Sequence, residues 1–591
     1  MRIAVLAVVV AGVVSLSIDD LVYTSLPADT ACVRLLTRTG QVGCGVGDSR
    51  GVLYDVDDVL SWRVYDPSQA ISVLMPHSAL NQTTIDRLQS KSNLAGIFLH
   101  SLSKASPSDF HSPAEKLPFS YLSTNSTHIW NPSGTNLTGS AFGFGIVTVA
   151  DPDLPTVMRL VEENRKRIQS GLDPRNQAQF NYPMDAGGNS VSCLQSGNCL
   201  PIGGYNVWSS RAKIDNSTTP IVAAVTQMDA SAFIHAHATG ANSAMSGLLA
   251  LLGASDAISR IEDLNLGMSS PQIVFAAFNG EFFDLIGSRS FVKDLSSFSC
   301  RSVSSISNTL CLDPYRIDTS FSSIANLVNS GSSIIEISQV GNGQPSDPFY
   351  FHTTSNTLTT AINSATQGLT VNLQPASAVT TIGLPPSSAL AFPASVEKLV
   401  LTGYDTEFNS LVYGSELDAN FTDSSIQRIC SASTIVARTL LTQVGYSNAH
   451  SVSVNCTLIK ELSDCVGPLG FECDIAGRVM ASSAIAASSF SKKGAVSHYA
   501  SVYQQRTPSQ VTDTPRFVYD WWTSLGLHAY YHDAVDPDLS VGSDGFWKAA
   551  DGPGRLWTES NWVPLCSVWD VLSQLHPLHR HSFYRNMHYE L

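Results

Sequence analysis

The residues best placed for chemistry stand where an apolar run breaks. Val274-Phe275-Ala276-Ala277-Phe278 leads through Asn279-Gly280 into Glu281 and Asp284, and then into Gly287-Ser288-Arg289, which reads as a helix start. A carboxylate at the end of a buried strand can serve as a general base, bind a cation, or receive the N–H groups of the next helix. Metal-assisted hydrolysis would need more: a catalytic zinc takes about three His, Cys or carboxylate ligands and keeps a position for water. His235 and His237 are two apart and would share a face if their segment were a strand. No third ligand stands near them, so surface or loop histidines are the plainer reading. His576, His579, His581 and His588 crowd the end of the chain. No H-E-x-x-H, G-x-S-x-G or phosphate-binding glycine loop occurs.

The Glu281 segment resembles the di-zinc aminopeptidase family, in which two adjacent glutamates follow a buried strand. In that family the first is the general base and the second a zinc ligand; here the two positions are Glu281 and Phe282. The family's His-x-Asp strand end matches Gln227-Met228-Asp229, with Gln227 in place of histidine. Its bridging aspartate falls at Ser243 of Gly240-Ala241-Asn242-Ser243-Ala244-Met245-Ser246-Gly247, and its last histidine at Tyr404. A further ligand aligns near Ser332. Gln, Ser, Phe and Tyr cannot hold zinc with useful affinity, and Glu281 without a metal has no activated water to deprotonate. The expectation is therefore no metal, no cofactor and no hydrolysis. A secreted metallo-aminopeptidase with other ligands, or a soluble peptide-binding glycoprotein, are the alternatives.

The elements that must position these residues are legible in part. Ile221-Val222-Ala223-Ala224-Val225 and Ile273 to Phe278 are continuous apolar runs, as expected of parallel strands buried on both faces. Between them Ser243 to Ile261 reads as a helix, with Met245, Leu248, Leu249 and Leu252 on one face. Gly287 to Leu295 and Ser424 to Val444 read as further helices, and Ser355 to Ser388, rich in Ser and Thr, as a loop. Residues 18–200 look like short strands, such as Gly96 to Leu99 and Phe144 to Val149, separated by long loops. At 591 residues one core is not enough. The expected division is a small N-terminal lobe over 18–200 and an α/β large lobe over 201–562, a mainly parallel sheet flanked by helices.

Composition bounds the compartment. Arg2 followed by the apolar run Ile3 to Val14 and Ser15-Leu16-Ser17 reads as a signal peptide over 1–17. Eleven cysteines then point to disulfides formed in an oxidising lumen. Cys32 with Cys44, Cys193 with Cys199, and Cys300 with Cys311 are the economical pairs, though spacing alone does not establish connectivity. N-x-Ser/Thr acceptors stand at Asn81, Asn125, Asn136, Asn216, Asn420 and Asn455. The net charge of −15 disfavours nucleic acid, whose phosphates it would repel.

The whole series of motifs resembles the nicastrin family, the large glycoprotein subunits of γ-secretase complexes. Carrying it are Cys32-Val33-Arg34-Leu35-Leu36 with Cys44, Gly204-Tyr205-Asn206-Val207-Trp208-Ser209-Ser210, the Glu281 to Arg289 segment, Leu384-Pro385-Pro386-Ser387-Ser388, and Trp557-Thr558-Glu559-Ser560-Asn561-Trp562. The resemblance implies a bilobed ectodomain with an inactive aminopeptidase-like large lobe, facing the lumen of the secretory pathway or the cell exterior. It implies presenilin and two smaller membrane subunits as partners, and type I membrane proteins as substrates. It also implies substrate contacts for Glu281 and Asp284, beneath a lid bearing Trp130. The alternatives are that Glu281 caps the following helix and that Trp130 packs in a core. The family's Asp-Tyr-Ile-Gly-Ser reads Asp284-Leu285-Ile286-Gly287-Ser288 here, one hydroxyl fewer. Where such proteins continue into a transmembrane helix, 563–591 is a histidine-rich tail without an apolar span.

Overall fold

A computed structural model describes residues 23–569, apart from 27–30, 46, 62–65, 67, 92, 101–111, 117–126, 183–187, 215–218, 265, 267–269, 481–495, 501, 504–512, 542–546, 551–554, 557 and 561–564. The proposed signal segment, Asn125, Asn216 and the tail beyond Trp569 lie outside the described residues.

The larger sheet has eight strands, in the order Leu373–Pro375, Phe349–His352, Glu397–Thr402, Ser333–Ile337, Ile221–Gln227, Gln272–Phe278, Gly203–Ser210 and His528–Val535. The four central strands from Glu397–Thr402 to Gln272–Phe278 run parallel. Their near-continuous apolar sequences are explained by helices on both faces. Met245–Ser259 and Asp423–Gln443 pack on one face with a core that includes Leu249, Leu252, Ile435 and Leu440. Ile286–Ser297 covers the other with Phe291 and Leu295. The helix read from Ser243 onward is there, but not with a single buried face. Met245 through Ile258 are all buried, because the sheet lies on one side and Asp423–Gln443, Cys456–Val466 and Asp513–Ser524 surround the rest.

A second sheet of seven strands forms the core of the N-terminal lobe, with Gly47–Asp55, Ala70–Pro76, Asn93–His100 and Gly145–Thr148 adjacent and parallel. The expectation of strands and long loops missed its helices. Leu154–Gln169 buries Val157, Leu160, Val161 and Asn164, an i, i+3, i+4, i+7 stripe in an otherwise charged segment. Ser355–Ser388 is likewise not simply a loop. The Ser355 hydroxyl accepts from Leu358 N (3.1 Å) and opens a helix over Asn356–Ala365 that buries Leu358, Ala361, Ile362 and Ala365.

The lobes are joined by more than one crossing. Thr558–Ser560, from the end of the chain, pairs with Arg34–Thr37 and with Cys199–Pro201. Leu565–Trp569 enters the N-terminal sheet between Tyr23–Leu26 and Gln177–Tyr182. Phe233 and Ile234 of the large lobe are buried in the N-terminal core, with Phe233 edge-on to Phe142 at 5.9 Å. No helix among the described residues is long and apolar enough to cross a membrane. Disulfides join Cys32–Cys44, Cys193–Cys199, Cys300–Cys311, Cys430–Cys456 and Cys465–Cys473.

Candidate functional site

The Glu281 loop leaves the carboxyl end of the Gln272–Phe278 strand and is held from behind by asparagines. Asn279 N donates to Asn206 Oδ1 (2.9 Å), Asn279 Nδ2 to Gly203 O (3.0 Å), and Asn206 Nδ2 to Gly287 O (3.0 Å). Gly287 must be glycine for space: a Cβ there would stand 2.3 Å from Asn279 O and 2.4 Å from Asn206 Oδ1. Asp284 and Leu285 both take left-handed backbone conformations, at φ 62° and 56°, and so turn the chain sharply into the helix.

Within this turn Glu281 points inward. It is 1% exposed; Ser288 N donates to its Oε1 (2.7 Å) and Ser288 Oγ to its Oε2 (2.8 Å). The carboxylate therefore caps the first turn of Ile286–Ser297, where the helix dipole favours negative charge. Burial pushes its pKa up, against the hydrogen bonds from Ser288. Asp229 receives Glu281 N (2.8 Å) and Phe282 N (3.1 Å), and burial, then the charge of Glu281, raises it to about 7.

The positions aligned with zinc ligands all have other partners. Gln227 Nε2 donates to Asp229 O (2.7 Å). Ser243 N and Asn242 N donate to the buried Asp418 at 2.9 and 2.8 Å. Phe282 stacks on Tyr413 at 5.9 Å, and Tyr404 is buried among Trp130, Phe408 and Tyr413. Ser332 is displaced from the site altogether. It precedes the amino end of Ser333–Ile337, where its hydroxyl bonds Ile221 N (3.0 Å) and Asn326 O (2.9 Å). The residue that does reach the site from this strand is Glu336, near its carboxyl end. It accepts from Ser388 N (3.0 Å) and Ala389 N (2.7 Å), and burial lifts its pKa to about 8, with Glu281 contributing. A charge in Ile334-Ile335-Glu336-Ile337 was the signal that sequence reading passed over. Among the described residues no group of three or more His, Cys, Asp and Glu could hold a metal ion.

Trp130 and Asp284 lie on different sides of this centre. Trp130 is buried, edge-on to Tyr404 (6.3 Å) and His352 (6.2 Å), while its carbonyl accepts from Phe408 N (2.7 Å). The N-terminal lobe thus lays this segment across the large-lobe loop that carries Tyr404 and Phe408. Asp284 faces the other way: its Oδ2 accepts from Arg555 N (3.3 Å), and the Arg555 guanidinium grips both oxygens of Glu115. His235 and His237 stand in a short 3-10 turn rather than a strand, and the His235 ring lies against Tyr499 at 3.9 Å. Asn136, Asn420 and Asn455 are exposed and Asn81 is half-buried.

Comparison with known proteins bears on this geometry. Family models described as nicastrin small lobe and nicastrin large lobe match residues 31–186 and 220–441. A nicastrin of Arabidopsis thaliana is 30% identical over 471 residues, covering 74% of this chain and 65% of its own length. One of Dictyostelium purpureum is 28% identical over 427 residues, covering 68% and 64%. The chain thus spans slightly under two thirds of these two curated relatives. The crystal structure of the γ-secretase component nicastrin is similar at a TM-score of 0.77 and 21% identity, covering 92% of this chain and all of that one.

Proposed function

The chain belongs to the nicastrin family, and from that premise we propose that it is a non-catalytic glycoprotein subunit of a γ-secretase-type intramembrane protease. Its role there is to assist assembly and to recruit or screen type I membrane substrates at their N-terminal ends. The observation that carries the reading is the state of the general-base position: Glu281 is sealed under Ser288, and Gln227, Ser243, Phe282 and Tyr404 occupy the ligand positions. A carboxylate with both oxygens engaged by Ser288 is not free to take a proton from an attacking water.

In this reading the Trp130 segment is the lid on one side of the Glu281 loop, and Asp284 is the substrate-facing carboxylate on the other. Contact between Glu281 and a substrate amino group would require displacement of Ser288, so we assign Glu281 to shaping the loop and Asp284 to its outer face. Presenilin and two smaller membrane subunits are the proposed partners. The proposed setting is the lumenal or extracellular side of the secretory pathway, with glycans at the six acceptor asparagines. The proposed boundaries remain 18–200 for the small lobe and 201–562 for the large one.

The test is co-purification of the tagged chain with presenilin from cells lacking their own nicastrin, with release of a type I substrate's intracellular domain as the second readout. Recovery of both supports the subunit role. Amino acids released from peptides by the purified chain, in a chelator-sensitive manner, would overturn the non-catalytic reading.

A further inference from the structure

Arg555, Leu556 and Thr558–Ser560, close together near the carboxyl end, reach three parts of the molecule. The Arg555 guanidinium engages both oxygens of Glu115, one of them at 2.7 Å. Its backbone N–H donates to Asp284 Oδ2 (3.3 Å), and its carbonyl accepts from Arg38 N (2.8 Å) of the N-terminal lobe. A guanidinium that meets a carboxylate through two bonds fixes orientation as well as distance. Leu556 follows at a left-handed φ of 50°, uncommon for a bulky residue, and is held there by full burial with Leu36, Leu194 and the Cys193–Cys199 disulfide. Beyond it Thr558 and Glu559 pair with Leu36 and Leu35 on one side and with Pro201 and Leu200 on the other. Tyr499 Oη donates to Glu559 Oε2 (2.6 Å) and pins that strand to the large lobe.

Glu115 belongs to the same piece of structure as Trp130. Thr135 N donates to Ser112 O (2.9 Å), Asn136 N to Ala114 O (3.2 Å), and Lys116 N to Asn136 Oδ1 (2.9 Å). Residues 112–116 and 131–138 are therefore one knot of backbone, and whatever holds Glu115 holds the Trp130 segment. On the Tyr404 side that segment is fastened by Phe408 N to Trp130 O, by His128 Nε2 to Thr406 O (2.6 Å) and by Ser112 Oγ to Tyr413 O. On the Asp284 side Arg555 fastens it through Glu115. The Arg555 and Glu115 side chains are 44% and 23% exposed, so water can replace this bond while both lobes stay folded.

We propose that residues 555–560 are a strap that couples the Trp130 lid to the joint between the lobes. While Thr558–Ser560 stays paired between Arg34–Thr37 and Cys199–Pro201, Arg555 keeps the Glu115 knot down on the Asp284 turn. Release of Arg555 frees that side of the lid and uncovers Asp284, and lifting the lid in turn loosens the strand that bridges the lobes. The proposal rests on the Trp130 segment being the lid. Its test reads motion in the purified chain, so failure of the strap leaves the subunit role standing, and failure to co-purify with presenilin leaves the strap standing.

The test is amide hydrogen exchange, at one pH and temperature, of the full chain and of Arg555→Ala, Glu115→Gln and the double variant. Each single variant is expected to quicken exchange over 112–116 and 131–138 roughly threefold, as suits the loss of a partly exposed pair, and to leave Ile221–Gln227 unchanged. Glu115→Gln, a change in the lid alone, is expected to quicken Thr558–Ser560 as well. The double variant should exchange no faster than Arg555→Ala. Should Arg555→Ala lower the unfolding midpoint, Glu115→Gln decides alone. Unchanged exchange over 112–116 and 131–138, a Glu115→Gln effect that stops short of Thr558–Ser560, or additive effects in the double variant overturns the proposal.

Discussion

Ser288 closes both oxygens of Glu281, its backbone N–H on one and its hydroxyl on the other, at 2.7 and 2.8 Å. A residue that sequence places as a catalytic base is thereby the cap of the helix Ile286–Ser297, which begins five residues later in the chain. Asp229 completes the arrangement by receiving the backbone of Glu281 and Phe282.

The pair should behave as one structural unit. Ser288→Ala leaves a buried carboxylate oxygen without its donor and should cost about 1–3 kcal/mol of unfolding free energy; Glu281→Ala, which strands Ser288, should cost a similar amount. The double variant should lose less than the sum of the two, with a coupling of roughly 0.5–3 kcal/mol for groups in contact. Chemical denaturation of the four proteins in the cycle measures this. Strict additivity would show that the contact does not stabilise the fold.

The sheet was legible because its central strands are short unbroken apolar runs, and Glu281 because it interrupts one. The rest of the site depends on pairings that no local window contains. Asp418 ties down Asn242 and Ser243 from about 175 residues away. Glu336 hides within an apolar strand, and Ser388 and Ala389, whose N–H groups donate to it, are 52 and 53 residues downstream. Ser355–Ser388 was misread because Ser and Thr dominate its composition, whereas its helix rests on four small or aliphatic residues at 3.6-residue spacing.

The raised carboxyls should make stability fall as pH rises through neutrality. Glu336 (about 8) and Asp229 (about 7) hold protons in the folded state that the unfolded chain releases above its ordinary carboxylate pKa of about 4. Below about pH 6.5 His235, His352 and His498, whose pKa values burial lowers, offset this, so the decline of unfolding free energy falls between about pH 6.5 and 8. Asp294, held at about 2 by His532 and Arg316 against the effect of burial, acts oppositely and only below about pH 4. Thermal unfolding from about pH 6.5 to 8 should show the decline, and Glu336→Gln should flatten part of it. A wild-type midpoint that rises across this range would contradict the assignment.

Chelation should leave the protein unchanged. If Gln227, Ser243, Phe282 and Tyr404 are engaged as the structure has them, EDTA has no structural zinc to remove and the unfolding midpoint should not move. Elemental analysis should find well under one equivalent of zinc after dialysis. A midpoint that drops with EDTA and recovers with zinc would show ligands drawn from elsewhere in the chain.

One fully buried contact between the lobes is that of Glu416 with His77. Glu416 Oε2 lies 3.3 Å from His77 Nε2 with both side chains fully buried, and its Oε1 receives Ile234 N beside the Phe233 insertion. Burial alone would raise the Glu416 pKa, but the bond and charge of His77 outweigh it and hold it low. A depressed carboxyl contributes stability above its unfolded pKa that is lost as pH falls through the folded one. Glu416→Ala takes the buried carboxylate from His77 and the acceptor from Ile234 N, and should cost about 3–5 kcal/mol. The loss should be local as well as global: amide exchange should quicken first around Phe233–Ile234 and around His77, ahead of the central strands Ile221–Gln227 and Gln272–Phe278. Uniform quickening across both lobes would mean that this pair stabilises the whole fold without acting as the joint between its halves.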